Sequence, residues 1–282
     1  MAWIRRWIRS AVDKEPRIGT FSRALRDAWD TRSESVATPW GFSLAGSPLM
    51  ASGRFEPAET GLVRKLLVDL DLFVNVGANV GYYCAHALSL GVGVVAIEPM
   101  PRNLHYLLTN LRMNGWDDSA EVFPVALGPS SGVVDIWGNG TGASLVEGWA
   151  GIPSNYRTVV PQLTLDTVLG GRLGGKRSLI IMDVEGSELG VLKGTVETLD
   201  NQPMPTWLVE ISLFEHQPVG RVTNPDFLET FKFFFDRGYR AIEIGGDARE
   251  LGSDQVEAMA NGESPSPLTH NFLFFADLHG AI

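Results

Sequence analysis

Cysteine is nearly missing from this chain: Cys84 is the one thiol in 282 residues. An internal disulfide is therefore excluded, which fits a reducing compartment, and the thiol itself reads as a small buried hydrophobe. No apolar run approaches the roughly 18 residues that cross a bilayer. The opening MAWIRRWIRS has neither the apolar region nor the cleavage site of a signal peptide, so a cytoplasmic location is expected. Positive charge is in deficit, with 23 Lys and Arg against 33 Asp and Glu and a net charge of −10. Phosphate backbones need clustered cations, and no nucleic-acid partner is expected. One further absence is local: the dinucleotide pattern G-x-G-x-x-G carries a middle glycine, and Gly77-Ala-Asn-Val-Gly81 does not.

That glycine pair sits in Leu72 to Tyr83, LFVNVGANVGYY, which reads as a strand, a glycine-bracketed turn and a helix. Such a turn lets a ligand approach the backbone, and the helix start offers unpaired N–H groups. The next apolar segment, Gly93 to Glu98, is a second buried strand that ends in a carboxylate 21 residues after Gly77. An acid at about that distance suits ribose hydroxyls. With no middle glycine in the turn, Ala78 is expected to crowd a diphosphate, so an adenosine cofactor without phosphates, such as S-adenosylmethionine, suits the turn better than NAD or a nucleotide sugar.

With 44% hydrophobic residues the chain has a substantial core available. We expect one domain, residues 57–282, behind an N-terminal extension of helices and a hairpin, residues 1–56. In residues 1–12, Trp3, Ile4, Trp7, Ile8, Ala11 and Val12 share one helical face, while Arg5, Arg6 and Arg9 occupy the others. That pattern suits a peripheral membrane contact, or docking on the domain itself or on a second copy. Phe21 to Trp29 suggests another short helix, Trp40 to Phe55 a hairpin or lid, and Pro57 a helix start.

Beyond the opening turn, Pro101 to Asn114 has leucines at helical spacing and Glu121 to Leu127 reads as a third strand. Residues 128–162 interrupt the alternation as an insertion with a flexible glycine loop, the kind of segment that carries substrate specificity. Then come a short helix at Leu163 to Leu169, a strand ending at Asp183, and a helix from Ser187 to Leu199. A strand at Thr206 to Ser212 contains Glu210; an apolar helix at Phe227 to Arg237 and strands at Tyr239 to Ile244 and Asn271 to Ala276 complete the chain. Strands alternating with helices imply a mostly parallel α/β sheet with helices on both faces, whose ligands sit at the strand carboxyl ends. Glu98, Asp183 and Glu210 should therefore meet in one crevice.

Taken together, NVGANVGYY, AIEPMPRNLHYLLTNLRMN, VALG, LTLDTVL, IIMDVEGSELGVLKG, LVEIS and the terminal NFLFF resemble the FkbM-type S-adenosylmethionine-dependent methyltransferases. The likeness runs from about residue 54 to residue 276. It implies a class I, Rossmann-like sheet of seven strands with an antiparallel last strand, and O-methylation of a hydroxyl on a sugar, glycoconjugate or polyketide-type natural product. It also implies that Asn75, Gly77, Ala78, Asn79, Gly81 and Tyr82 line the methionine and ribose part of the cofactor. By the same resemblance Glu98 and Pro99 hold the ribose, Ala126 and Leu127 flank the adenine, and Asp183 lies near the sulfonium. Asn75 departs from the family, which usually has Asp there.

Methyl transfer to an alcohol needs an aligned acceptor and a way to remove its proton. Asp183 or Glu185 is the candidate base, with Glu210 and His216 second. The other expectation is a Mg²⁺ held by Asp183, Glu185 and Glu210, since hard cations prefer oxygen ligands. The remaining histidines read as structural. Trp40, Trp137, Trp149 and Tyr156 are candidates to stack on a sugar and Arg157 to grip an anion. A small-molecule or carbohydrate acceptor is expected. The contrasting reading is a catalytically silent S-adenosylmethionine-binding scaffold, prompted by Asn75 and the Trp-rich start.

Overall fold

The structure is a computed structural model describing residues 34–245 and 248–276. The patterns at residues 1–12 and Phe21 to Trp29 lie outside the described residues. The described chain opens with a hairpin, β1 (Val36–Ala37) and β2 (Ser43–Leu44), then one helical turn, α1 (Pro48–Ala51), and α2 (Pro57–Leu66). Pro57 begins α2 because its fixed φ and missing N–H cost nothing in a first turn. The alternation follows: β3 (Leu72–Val76), α3 (Tyr82–Ser89), β4 (Gly93–Ile97), α4 (Pro101–Met113), β5 (Ala120–Phe123). β6 (Ala126–Leu127) comes next, and the insertion contributes β7 (Gly132–Trp137) and nearly all of β8 (Arg157–Leu163). Next are α5 (Leu165–Leu169), β9 (Ser178–Met182), α6 (Glu188–Leu192), α7 (Val196–Leu199) and β10 (Thr206–Glu210). The chain closes with α8 (Phe227–Phe235), β11 (Arg240–Glu243), β12 (Arg249–Leu251), α9 (Ser253–Ala260) and β13 (Asn271–Phe275).

The main sheet runs β12-β11-β13-β10-β9-β3-β4-β5. Strands β5, β4, β3, β9 and β10 are parallel, and the chain-terminal β13 enters antiparallel between β10 and β11. These seven strands are the expected class I arrangement; among the described residues β12 adds an eighth at the edge. Every residue of β3 is buried, because successive side chains feed different cores. Val74 and Val76 join a core with the phenylalanines of α8 and β13, while Phe73 joins one beneath α2, α3 and α4. Phe234 of α8 stacks on Phe274 at 3.9 Å between centroids, which locks the antiparallel strand to its helix.

Several boundaries differ from the sequence reading for local reasons. Glu121 to Leu127 is two strands, since Pro124 cannot donate to a ladder. After it, β6 leaves the main sheet for a small one, ordered β6-β8-β7, that roofs the strand ends. Ser187 to Leu199 is two short helices: at Gly194 a Cβ would fall 2.3 Å from the Gly128 carbonyl, and the chain turns there. The segment before the last strand, read as a loop, holds β12 and α9. The N-terminal hairpin is fastened to the body, with Phe42, Leu44 and Met50 packed beside Val80, Tyr82 and Tyr106. Asn110 of α4 mimics a neighbouring strand, accepting from Ala45 N–H at 2.7 Å and donating to its carbonyl at 3.1 Å.

Candidate active site

A cavity opens where β3, β4 and β9 end, floored by the glycine turn and roofed by the insertion. Gly77 has φ +82°, and a Cβ there would lie 1.9 Å from the Asp183 carbonyl, so this position accepts only glycine. The two strand ends thereby touch, and both turns face one space.

At one end of the cavity stands Glu98, 4% exposed. The Asn79 N–H donates to Oε2 at 2.8 Å, and the Met100 N–H and the Asn103 amide donate to Oε1 at 2.8 and 3.3 Å. Burial lifts its pKa to about 7 against the pull of those donors. Two acceptor atoms beside it have no partner: Asn79 Oδ1 and Asn103 Oδ1 are shut from water and unbonded. Val125, Ala126, Leu127 and Ile97 form an apolar wall next to them. A ligand seated here has to bring donors and a flat apolar body.

The other end is crowded with acids. Asp183 opens onto the cavity. Enclosure by the surrounding protein, then the nearby charges of Glu210, Glu185, Glu56 and Glu188, push its carboxyl well above the usual range. Glu210 is raised for the same reasons, burial first, then Glu185, Glu188, Glu56 and Glu215. Neither carboxylate meets a cation or a hydrogen-bond donor among the described residues. Glu188 is different: it accepts from the Gly186 N–H at 2.8 Å as a local cap, and burial brings it to about 7. Glu56, at the start of α2, accepts from Tyr83 Oη–H at 2.7 Å.

The insertion is clamped onto this acidic end. Trp149, 4% exposed, donates its indole N–H to Glu185 Oε2 at 2.7 Å. Its ring covers Gly186 so closely that a Cβ there would fall 2.4 Å from it. Ala150 N–H donates to the His216 carbonyl at 2.7 Å, and Ser144 Oγ–H to the Glu185 carbonyl. Ala150, Glu185 and His216 all hold left-handed backbone, with φ of 49°, 54° and 64°. Three loops therefore meet in strained geometry beside the acids, a pattern that concentrates at functional sites.

The sequence matches the Methyltransferase FkbM domain over residues 75–241. The chain belongs to the FkbM methyltransferase family. A solved FkbM methyltransferase from Methylobacillus flagellatus is similar at 18% identity and a TM-score of 0.44, covering 73% of this chain. This chain spans 44% of that protein's length. Precorrin-6y C5,15-methyltransferase from Geobacter metallireducens is similar at 13% identity, covering 83% of this chain and 90% of its own, with a TM-score of 0.38. TYW2 from M. jannaschii, solved in complex with AdoMet, is similar at 14% identity over 83% of this chain and 80% of its own, with a TM-score of 0.39. A search of curated proteins gave no match.

Of the positions that the FkbM resemblance implied, Gly77, Asn79, Glu98, Pro99, Ala126, Leu127 and Asp183 line this cavity, as does the candidate base Glu185. Four others lie behind its wall. Ala78 is buried in the core beneath α3, so its side chain is not what would crowd a diphosphate. Gly81 starts α3 against Leu107, and Tyr82 packs under the hairpin with its hydroxyl on Thr60 at 3.0 Å. Asn75 is buried in β3 and reaches Cys84 Sγ at 3.5 Å. Glu210 is brought against Asp183, whereas His216 is an exposed loop residue that touches the site through Trp149, ring to ring at 6.0 Å.

The Mg²⁺ set read from Asp183, Glu185 and Glu210 is not assembled, because Glu185 turns to the Trp149 indole. Among the described residues no group of three His, Cys, Asp or Glu is placed to hold a metal. Nor do the aromatic candidates all face a ligand: Trp149 is covered, Trp40 lies in a cluster with Phe42 and His86, and Arg157 pairs with Asp135 at 3.2 Å. Asn103 and Glu56 went unread. Asn103 carried a signal, since a side chain in the first turn of a helix leans back toward the preceding strand end. Among the described residues no helix is long and apolar enough to cross a membrane.

Proposed function

We propose that this chain is an S-adenosylmethionine-dependent O-methyltransferase acting on a hydroxyl of a sugar, glycoconjugate or polyketide-type natural product. The cavity suits the cofactor. Glu98 and the unpartnered Asn79 Oδ1 and Asn103 Oδ1 present acceptors to ribose and amine donors. The wall at Val125 to Leu127 suits an adenine, and the carboxylates offset a positive charge. When bound, the cofactor supplies a methyl group on a cationic sulfur.

The observation that carries O-methylation is the crowding of Asp183 and Glu210 by like charge. An alcohol must lose its proton as its oxygen attacks, and a carboxylate lifted toward neutral pH removes it better than an ordinary one. Asp183 takes that proton, Glu210 shares it, and Glu185 stays fixed beside them on Trp149. The same charges repel a phosphate or carboxylate at the reacting position, which favours an uncharged hydroxyl there.

Calorimetry with S-adenosylhomocysteine and with NAD separates this reading from a dinucleotide enzyme. Labelled S-adenosylmethionine with a panel of sugar and macrolide acceptors tests transfer. Replacing Asp183 by Ala separates the enzyme from a silent scaffold: affinity kept and turnover lost supports the assignment, and unchanged turnover ends it. Turnover abolished by EDTA would move the work from the base to a metal. The basic amphipathic pattern at residues 1–12 we assign to a contact with a membrane surface or a second copy, and liposome flotation with and without those residues decides between them.

A further inference from the structure

We propose that Asn103 is a further cofactor-binding residue, reading one hydroxyl of a vicinal diol whose other hydroxyl belongs to Glu98, and that it ties the insertion to the loaded site. The inference rests on the reading of the cavity as an adenosine pocket. Asn103 is 3% exposed and lines the cavity. Its amide nitrogen donates to Glu98 Oε1 at 3.3 Å and to the Gly140 carbonyl at 3.1 Å. Both partners are acceptors, so the orientation of the amide is fixed and its oxygen is the atom left over. That oxygen is buried and has no hydrogen-bond partner among the described residues.

A buried acceptor without a donor is a standing cost until one arrives. The same amide bonds the Glu98 carboxylate at 3.3 Å, itself an acceptor, so any ligand that satisfies both must bring two donors side by side. A ribose does so with its 2′- and 3′-hydroxyls. The same side chain holds Gly140, in the glycine loop of the insertion, and that loop supplies Thr141 and Ala143 to the cavity roof. A donor that fastens the amide oxygen therefore also steadies the loop over the site.

The test is a cycle on the full-length protein. S-adenosylhomocysteine and its 2′-deoxy and 3′-deoxy analogues are titrated by calorimetry into the wild type and Asn103→Ala. Removing the hydroxyl that Asn103 reads should cost the wild type about tenfold in affinity, the usual size of one buried hydrogen bond. In Asn103→Ala the same removal should cost almost nothing, and exchange of the amides of residues 138–144 should no longer slow on binding. Losses that are equal for all three ligands in both proteins overturn the proposal. Failure of the wild type to bind S-adenosylhomocysteine at all overturns the adenosine reading with it. Asn103→Ser, closer in bulk, carries the same cycle should the alanine variant not fold.

Discussion

The two ends of the cavity are each built on carboxylates, and they treat them in opposite ways. Glu98 is wrapped by two backbone N–H groups at 2.8 Å, from the turns after β3 and β4, and by the Asn103 amide of α4 at 3.3 Å. Asp183 and Glu210 face each other with no donor or cation among the described residues, and every charge near them has the same sign. A wrapped carboxylate is a fixed acceptor and serves recognition. An unwrapped and repelled one is free to take a proton, which on the proposed reading serves chemistry. The difference comes from the loops: the turns after β3 and β4 each point one N–H, of Asn79 and Met100, at Glu98, whereas the loops after β9 and β10 bring more acids.

The sharpest way to break this contrast is to exchange the effects. Asp183→Asn should reduce turnover of an accepted substrate by about 10²-fold or more, with S-adenosylhomocysteine affinity changed only a few-fold, as measured by steady-state kinetics and calorimetry. Glu98→Ala should do the reverse, lowering affinity by about tenfold or more while leaving some turnover at saturation. If both variants lose affinity alike, the two ends are not functionally distinct. Gly186→Ala should cost about 1–3 kcal/mol of stability, since its φ of +90° is closed to a side chain and the Trp149 ring already fills the space; a thermal melt measures it.

A smaller effect separates wrapped from unwrapped acids by pH. Glu188 has a folded pKa of about 7, above its ordinary 4.5. The folded state therefore binds the proton more tightly, and this contribution to stability, full below about pH 4.5, is lost as the pH rises to about 7. Glu188→Gln keeps an oxygen for the Gly186 N–H and removes the titration. Its stability relative to wild type should rise across that window in denaturant titrations. His86 works the other way: burial beside Arg64 lowers it from 6.5 to about 3, so stability is lost as the pH falls from 6.5 toward 3.

Much of this architecture was legible in the sequence because it rests on short-range chemistry. The residues LFVNV and SLIIM are apolar but for Asn75 and Ser178, a pattern that suits a strand covered on both faces, and Glu98 and Asp183 follow from the rule that ligands sit at the carboxyl ends of such strands. What stayed hidden depends on long-range contact. Nothing in residues 187–199 announces that Gly194 must yield to the Gly128 carbonyl, and nothing around Trp149 tells that its indole is spent on Glu185. Glu56 reaches the acids only because α2 packs beside α3, whose Tyr83 holds its carboxylate. The reading of Ala78 failed for a related reason: position in the sequence does not tell which way a side chain points, and this one points into the core.

The contact between Trp149 and Gly186 makes the insertion something other than a detachable cassette. A bulky ring in one loop has been matched to a missing side chain in another, as a key is matched to one lock. Grafting a different 128–162 segment, to change what the enzyme accepts, would leave Glu185 without its holder unless the new segment brings an indole to the same place. Exchange of specificity in this scaffold therefore has to move the two loops as one inheritance.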